Sequence, residues 1–416
     1  MLNKIKNTAY KILRRSEKFT KTDMVYLAKG SFWLSMINVV MIVNGLLIAI
    51  AFANLLPQEI YGEYKYVLSI FAILKIFSLP GMHTAVNRAV SLGYEGTVIK
   101  GLKAQISWGL VGSLISAGIA IYYYIQGNEQ LAISLLLIAL FIPLFDPPRI
   151  FRAYLNGKKY FKESAKCAIP IEIITTITLI TALFLTDQLF IILIAYFAPY
   201  FILRTAYLIY TKHKYKFNDQ IDNESISLGK HLTLISSLSQ IANQIDKIIL
   251  WHFLGAIALA IYSFAIALPD QIKVGIKQIR ILALPKFSSQ DTEATKRTLP
   301  PKILKAMIIL IPIIIIYIIA APWIFNTFFP QYSESIFYSQ IYAISIVLVP
   351  QSIFTTYLQS KAKKKQLYTL NIIRPIIKIA LLIILIPLFG IIGAILSIII
   401  TRTINLAGLY YLFKKS

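Results

Sequence analysis

Apolar stretches of about twenty residues recur along almost the whole chain, and this recurrence limits the chain to a multi-pass membrane fold. An α-helix needs about 20 apolar residues to cross the hydrocarbon core of a bilayer. Of the 416 residues, 57% are hydrophobic, far above the share in soluble domains. We predict an all-α fold with twelve transmembrane helices, near 31–53, 62–83, 103–125, 131–150, 167–186, 188–210, 231–252, 257–281, 303–322, 334–358, 368–388 and 390–412.

The composition argues against several other classes of protein. The single cysteine, Cys167, rules out an internal disulfide, and the four histidines are scattered, so we expect no metal site. The sequence contains neither a Gly-rich phosphate loop nor a nucleophile elbow, so we expect a protein that is not an enzyme and needs no cofactor. The net charge of +24 would suggest nucleic acid in a soluble protein. In a membrane protein its placement matters more, and we expect no nucleic-acid partner.

Positive charge is distributed very unevenly between the two sets of predicted loops. The loops 54–61, 126–130, 187, 253–256, 323–333 and 389 contain no Lys or Arg, whereas the alternate loops and both termini are rich in them. By the positive-inside rule, both termini are cytoplasmic. The basic segment 1–30 has no cleavage site of a signal peptide, and we expect it to lie on the anionic lipids of the inner leaflet.

The chain also repeats itself at a constant offset of 198 residues. Lys75 matches Lys273 at this offset. The other matches are Tyr64 with Tyr262, Tyr66 with Phe264, Arg88 with Lys286, and Arg204-Thr205 with Arg402-Thr403. Since each repeat carries six spans, an even number, both have the same orientation in the membrane. We predict two parallel six-helix lobes, 31–214 and 230–416, joined by a polar cytoplasmic linker at 215–229. Such a pair of lobes is typical of an alternating-access transporter.

Charged residues inside the predicted spans are candidates for the lining of a polar path, because intramembrane charge normally faces a cavity. Cations outnumber acids within the spans, which favours a substrate with a phosphate or carboxylate group. Lys75 and Lys273 lie past the middle of equivalent spans, and we expect these two lysines to line the cavity. Lys277 and Arg280 share the helix face of Lys273 but lie near the cytoplasmic end, where they can instead snorkel to the interface.

The remaining candidates keep two interpretations each. Arg374 precedes Pro375, and Lys378 follows one turn later on the same face, which suits a phosphate ligand at a helix break. Asp246 and Glu172 are candidates for ion coupling. A buried ion pair for Asp246 and a helix-packing role for Glu172 are the alternatives.

Three segments carry a resemblance to a known family. LPQEIYGEYKYVLSIFAI (56–73), SLPGMHTAVNRAVSLG (78–93) and IDKIILWHFLGAIALAIYSFA (245–265) resemble the polysaccharide repeat-unit flippases, the Wzx-type branch of the multidrug/oligosaccharidyl-lipid/polysaccharide (MOP) exporter superfamily. The resemblance implies a MATE-like fold in the bacterial inner membrane. It implies flipping of oligosaccharides (O-antigen or capsule type) linked to undecaprenyl diphosphate, and polysaccharide polymerase and glycosyltransferases as partners. It also implies that the diphosphate or acidic sugars meet Lys75, Arg88, Lys273, Lys277, Arg374 and Lys378.

Two rival functions stay open at this point. An ion-coupled multidrug exporter of the same superfamily would need an acidic cavity and would depend on acids such as Asp146, Glu172 or Asp246. A non-transporting scaffold for polysaccharide assembly would tolerate neutral residues in place of Lys75 and Lys273.

Overall fold

The computed structural model describes residues 24–289, 292–361 and 364–415, with side chains for 32–33, 35–273, 295–361, 366 and 368–415. All regular structure in these ranges is helical. The first lobe contains α1 (Met24–Leu55), α2 (Gln58–Leu74), α3 (Met82–Ser91), α4 (Thr97–Ile125), α5 (Glu129–Phe145), α6 (Ile150–Gly157), α7 (Phe161–Leu185) and α8 (Leu189–Tyr215). The second contains α9 (Asn223–Ala242), α10 (Ile245–Ser289), α11 (Thr292–Phe328), α12 (Ser335–Ile344), α13 (Ser352–Ser360) and α14 (Lys364–Lys415).

Two glycines divide the longest helices into antiparallel halves. Gly255 in α10 has φ 81° and Gly390 in α14 has φ 58°, values that residues with a side chain rarely adopt. The chain reverses at Gly255, because Asp246 and Tyr262, on opposite sides of it, share a hydrogen bond. It reverses at Gly390 as well, because Gly393 packs so closely on Leu385 that a Cβ at Gly393 would overlap the Leu385 carbonyl. Both turns fall at or beside a predicted short external loop.

The number of apolar helices is compatible with the predicted twelve spans. Among the described residues, nine helical segments are long and apolar enough to cross a membrane, or ten when the bent pair Gln58–Ser78 and Met82–Ser91 is one span. Two of the nine, Asn223–Lys273 and Tyr368–Lys415, have 51 and 48 residues and contain the glycine turns, so each has room for two spans. The chain is a multi-pass membrane protein with two parallel lobes.

Apolar side chains cover the outside of the helices as well as the core, as expected where lipid is the solvent. On α11, Ile315, Ile316 and Ile319 are 50%, 66% and 73% exposed. Inside the first lobe, aromatic rings fill the core, with Phe197 4.7 Å from Phe71 and 5.3 Å from Phe145 between ring centroids.

Polar residues mark the ends of several helices. The Asn128 side chain accepts a hydrogen bond from the Leu131 amide at the start of α5, and Asp222 accepts one from the Glu224 amide at the start of α9. Since α9 already begins at Asn223, the second half of the predicted linker is helical. Of the predicted basic segment 1–30, residues 1–23 lie outside the described residues.

Among the described residues, the two lobes touch toward each predicted face of the membrane. On the predicted periplasmic side, α2 meets α10 and the segment before α12 in what we call the aromatic contact, formed by Tyr61, Gly62, Ala256, Phe264 and Tyr332. The Phe264 ring lies 4.8 Å from that of Tyr61 and 3.9 Å from that of Tyr332. Gly62 packs so closely on Ala256 that a Cβ at Gly62 would overlap the Ala256 carbonyl.

The second place, the glycine contact, lies on the predicted cytoplasmic side between α3 and α9 and consists of Gly81, Gly229 and Thr233. The Gly81 amide donates a hydrogen bond to the Thr233 hydroxyl at 3.0 Å. A Cβ on Gly81 would lie 2.6 Å from the Gly229 carbonyl oxygen. The lobes are therefore in contact on both predicted sides of the membrane.

Candidate functional site

A polar cavity of about 410 Å³ lies within the helices of the second lobe. Its volume is in the range of small-molecule sites, about 300 to 1,000 Å³. Its charged lining residues come from α10 and α14 and are Asp246, Lys247, Asp270, Lys273, Arg374, Lys378 and Arg402. Cations therefore outnumber carboxylates five to two among the described lining residues.

The glycine turns determine the depth of these charges. At about 1.5 Å per residue, Asp246 lies roughly 14 Å and Lys273 roughly 27 Å along the helix from Gly255. The hydrocarbon core of a bilayer is about 30 Å thick. The charges thus extend from near the middle of the membrane toward its predicted cytoplasmic side. At that depth a charge is stable only with a partner or with water in a cavity.

One charged cluster joins the two halves of α10 to α14. The Tyr262 hydroxyl donates a hydrogen bond to Asp246 Oδ2 at 2.7 Å, and Lys378 Nζ lies 3.5 Å from the same oxygen. Lys378 also donates to the carbonyl of Ala242 at the end of α9, at 2.5 Å. Asp246 is only 3% exposed, and its two partners offset the cost of burying its carboxylate.

The other cluster is centred on the Tyr342 hydroxyl of α12. It donates a hydrogen bond to Asp270 Oδ1 at 2.5 Å and accepts one from Lys273 Nζ at 2.6 Å. Lys273 also forms an ion pair with Asp270, one turn earlier on the same helix. Arg402 of α14 donates to the Tyr342 hydroxyl at 3.3 Å and to the Ser345 hydroxyl at 2.5 Å.

Two further cations complete the lining. Lys247 Nζ donates to the Gln244 side chain at 2.8 Å, so its partner is neutral. Arg374 is exposed to the cavity beside Pro375. The two carboxylates are matched with Lys378 and Lys273, so positive charge remains in excess among the described lining residues. Lys and Arg side chains converging on one space are the usual ligands of phosphate and carboxylate groups.

The comparison with family models gives one match. Residues 27–290 match the model described as polysaccharide biosynthesis protein, which is well over half of the chain. The chain belongs to the polysaccharide biosynthesis protein family. None of the curated proteins compared with this family member matched it in sequence.

Solved structures show the fold of this polysaccharide biosynthesis protein independently. The chain is similar to an inward-facing multidrug resistance MATE family transporter of the MOP superfamily, with 14% identity, TM-score 0.64 and coverage of 90% of this chain and 94% of that chain. It is similar to the lipid II flippase MurJ in an inward closed conformation, with 17% identity, TM-score 0.60 and coverage of 91% and 87%. A third match is a MOP superfamily transporter from Pyrococcus furiosus, described as having a binding pocket of reverse polarity, with 16% identity, TM-score 0.58 and coverage of 94% and 93%. These likenesses confirm the predicted MATE-like fold.

The cavity of this family member brings together Lys273, Arg374, Lys378 and Asp246 from the predicted site. Lys75 lies in the first lobe, half-buried where α2 ends, and does not line this cavity. The predicted equivalence of Lys75 and Lys273 in the sequence thus does not place them in one cavity.

The other predicted residues lie elsewhere. Arg88 lies at the lobe junction, 3.5 Å from Asp222 and 3.3 Å from the Ser225 hydroxyl. Glu172 accepts a hydrogen bond from the Tyr200 hydroxyl at 2.7 Å in the first lobe. The side chain of Lys277, like that of Arg280, lies outside the described residues.

Several lining residues were not chosen for the predicted site, although Lys247, Asp270 and Arg402 are charges within predicted spans. Arg402 shares its offset match with Arg204, but the match alone does not say that Arg402 faces a cavity. Arg204 instead is 6% exposed, donates to the Phe145 carbonyl and stacks on Phe145 and Tyr200. The hydroxyls of Tyr262 and Tyr342 gave no signal, because tyrosine in an apolar span resembles any core aromatic residue.

Proposed function

We propose that this protein is a flippase that moves oligosaccharide repeat units, of O-antigen or capsule type, across the bacterial inner membrane. The units are linked to undecaprenyl diphosphate and pass from the cytoplasmic to the periplasmic leaflet by alternating access. Family membership supports a role in polysaccharide biosynthesis. The lipid II flippase among the structural matches is a precedent for moving a lipid-linked sugar with this fold.

The observation that carries the proposal is the excess of cations around the cavity of the second lobe. A drug exporter for cationic compounds would be expected to present an acidic cavity. A scaffold would have no reason to keep charges at membrane depth, where they are costly. A diphosphate carries several negative charges on oxygens that accept bidentate hydrogen bonds from Arg and charge-assisted ones from Lys. We assign Lys273, Arg374 and Lys378 to its binding.

An entering diphosphate would take the place of the two carboxylates as the partner of the lysines. In the substrate-free protein, Asp246 and Asp270 hold Lys378 and Lys273 as internal counter-ions. When a diphosphate replaces them, each carboxylate keeps a hydrogen bond from a tyrosine, Tyr262 or Tyr342. The exchange therefore leaves the buried Asp246 carboxylate with a partner, whereas a buried charge without one would cost several kcal/mol.

Alternating access requires that the two lobe contacts open in turn. The glycine contact would open for loading from the cytoplasmic leaflet, and the aromatic contact would open for release on the other side. Partnered cations in the substrate-free cavity would allow it to return without carrying an ion. The lipid tail would stay in the bilayer throughout.

Flipping in proteoliposomes tests the proposal. Purified protein is reconstituted with a polyprenyl-diphosphate oligosaccharide, and the sugar that becomes accessible to an added glycosidase is measured over time. We expect the double variant Lys273→Gln with Lys378→Gln to lower the flipping rate at least about tenfold, since each substitution removes a charge-assisted contact with the diphosphate. A third variant, Lys75→Gln, tests the separate prediction for the first lobe.

The matched control is Lys302→Gln with Lys305→Gln, which removes the same charge from exposed positions of α11. Wild-type flipping by the cavity variant, with normal yield and thermal unfolding, would reject the assignment. Dye efflux that depends on Asp246, without flipping, would favour the multidrug alternative.

A further inference from the structure

A second cavity, of about 380 Å³, lies in the first lobe between α3 and α6. Both helices follow the ends of spans that the charge pattern directs toward the cytoplasm, so the cavity is at the predicted cytoplasmic side. Its polar lining consists of His83, Thr84, Asn87, Arg149, Arg152 and Asn156. None of the described residues that line it is acidic.

Several of these groups have unused hydrogen-bonding capacity. His83 Nε2 and Arg152 Nε are buried nitrogens without a hydrogen-bond partner among the described residues. Arg149 Nε lies 3.7 Å from the carboxylate of Asp146, which is outside the described cavity lining. Buried polar atoms in native proteins are normally satisfied, and their clustering around a cavity points to a bound group. Asn156 Oδ1 is also unpartnered and can accept a hydrogen bond from a hydroxyl group.

The repeat shows that the fold does not require arginine at these positions. YLNGKK, which begins at Tyr154, aligns with YLQSKAKK, which begins at Tyr357. The same alignment pairs Arg149 with Ser352 and Arg152 with Thr355. Thr355 lines the cavity of the second lobe, so the two cavities occupy related places in the two lobes. The arginines are therefore a property of the first lobe and not of the shared helix packing.

We propose that this cavity binds the phosphoryl groups of a lipid at the cytoplasmic side, as a docking site separate from the cavity of the second lobe. Two guanidinium groups and an imidazole, with amide and hydroxyl donors around them, match the oxygens of a phosphate or diphosphate. The inference rests on the proposed function only for the identity of the lipid, the substrate rather than a bilayer phospholipid.

Helix α3 both lines this cavity and takes part in the glycine contact. His83, Thr84 and Asn87 share one face of this helix, while Gly81 and Arg88, seven residues apart, touch α9 on another. A ligand held by the first face thus contacts the helix whose other face forms the contact that closes the cytoplasmic side. Docking and closure would involve the same helix.

Binding stoichiometry of the full-length protein in detergent tests the site. The probe is a polyprenyl diphosphate, with polyprenol as the phosphate-free comparison and phosphatidylglycerol as the bilayer lipid. We expect two diphosphates per wild-type chain and one per chain for Arg149→Ser with Arg152→Thr, which install the residues of the other repeat. We also expect one for Lys273→Gln with Lys378→Gln, and none for the four changes together.

Control variants distinguish the first-lobe docking site from the second-lobe site. Lys103→Ser with Lys212→Thr removes two exposed cations outside the cavity and should keep both sites, and Arg152→Lys should weaken the first-lobe site by about tenfold through loss of the planar fork. Two diphosphates bound by the folded Arg149/Arg152 variant would overturn the docking site and leave the proposed function standing. Two bound by the Lys273/Lys378 variant would instead reject the second-lobe site. Equal binding of phosphatidylglycerol at the first-lobe site would support a phosphoryl site but assign it to the bilayer lipid.

Discussion

Asp246 and Tyr262 lie on opposite halves of α10, and the tyrosine hydroxyl donates a 2.7 Å hydrogen bond to the carboxylate across the Gly255 turn. The contact fixes how two antiparallel membrane helices face each other. It also keeps a charge near the middle of the membrane in one place, where Lys378 can reach it from α14.

Tyr262→Phe removes that hydroxyl and keeps the ring. Asp246 then loses one of its two side-chain partners while it stays buried, so we expect a loss of stability of about 1 to 3 kcal/mol. Thermal unfolding of the purified protein in detergent measures it as a lower midpoint. The matched control is Tyr64→Phe at the equivalent position of the first lobe, whose hydroxyl forms no hydrogen bond with the described residues. An unchanged midpoint for Tyr262→Phe would mean that Lys378 alone satisfies Asp246.

Asp270→Asn tests whether the carboxylates act as internal counter-ions. The change leaves a hydrogen-bonding amide next to Tyr342 but removes the charge that holds Lys273. We expect pyrophosphate to bind about tenfold more tightly, since Lys273 and Arg402 then lack a competing anion. Isothermal titration of the purified protein measures this affinity.

Lys273→Gln should have the opposite effect and weaken pyrophosphate binding, which serves as the internal comparison. The counter-ion model fails if Asp270→Asn weakens binding as much as Lys273→Gln does. In that case the carboxylate would position the lysine for the ligand instead of competing with the ligand.

The spans could be predicted from sequence because the length of an apolar run is a local property. Both helix reversals, at Gly255 and Gly390, fall at or next to predicted loops for the same reason. The helical start of α9 at Asn223 could not be foreseen from a polar, acidic stretch. Its packing partners, Gly81 and Met82, lie about 150 residues earlier in the chain.

The site could be predicted only in part, because a charge in a span does not say which neighbour it meets. Lys75 and Lys273 match in the repeat, yet Ala72 stands where the second lobe has Asp270, one turn before the lysine. That difference was visible in the sequence. The contribution of Tyr342 was not, since it reaches Lys273 from another helix, 69 residues away.

Gly62→Ala tests the aromatic contact. The added Cβ would overlap the Ala256 carbonyl, so α2 and α10 must move apart on the predicted periplasmic side. We expect a longer distance between spin labels placed at the external ends of these helices, and a lower midpoint of thermal unfolding. The control is Gly118→Ala in α4, where nothing lies within 4 Å of the added atom. That change should be neutral or stabilising by up to about 1 kcal/mol, as for other helical glycines.

Gly81→Ala tests the glycine contact in the opposite direction. Its Cβ would lie 2.6 Å from the Gly229 carbonyl oxygen and 2.7 Å from the Thr233 amide, so α3 and α9 cannot keep their present distance. Because the obstruction is on the predicted cytoplasmic side, we expect the population to shift toward open cytoplasmic ends. Cysteines introduced near the ends of α3 and α9 should react faster with a membrane-impermeant reagent in inside-out vesicles. If Gly81→Ala and Gly62→Ala raised the reactivity of the same cysteines equally, the two contacts would not be opposing gates, and the alternating-access proposal would need another pair of closures.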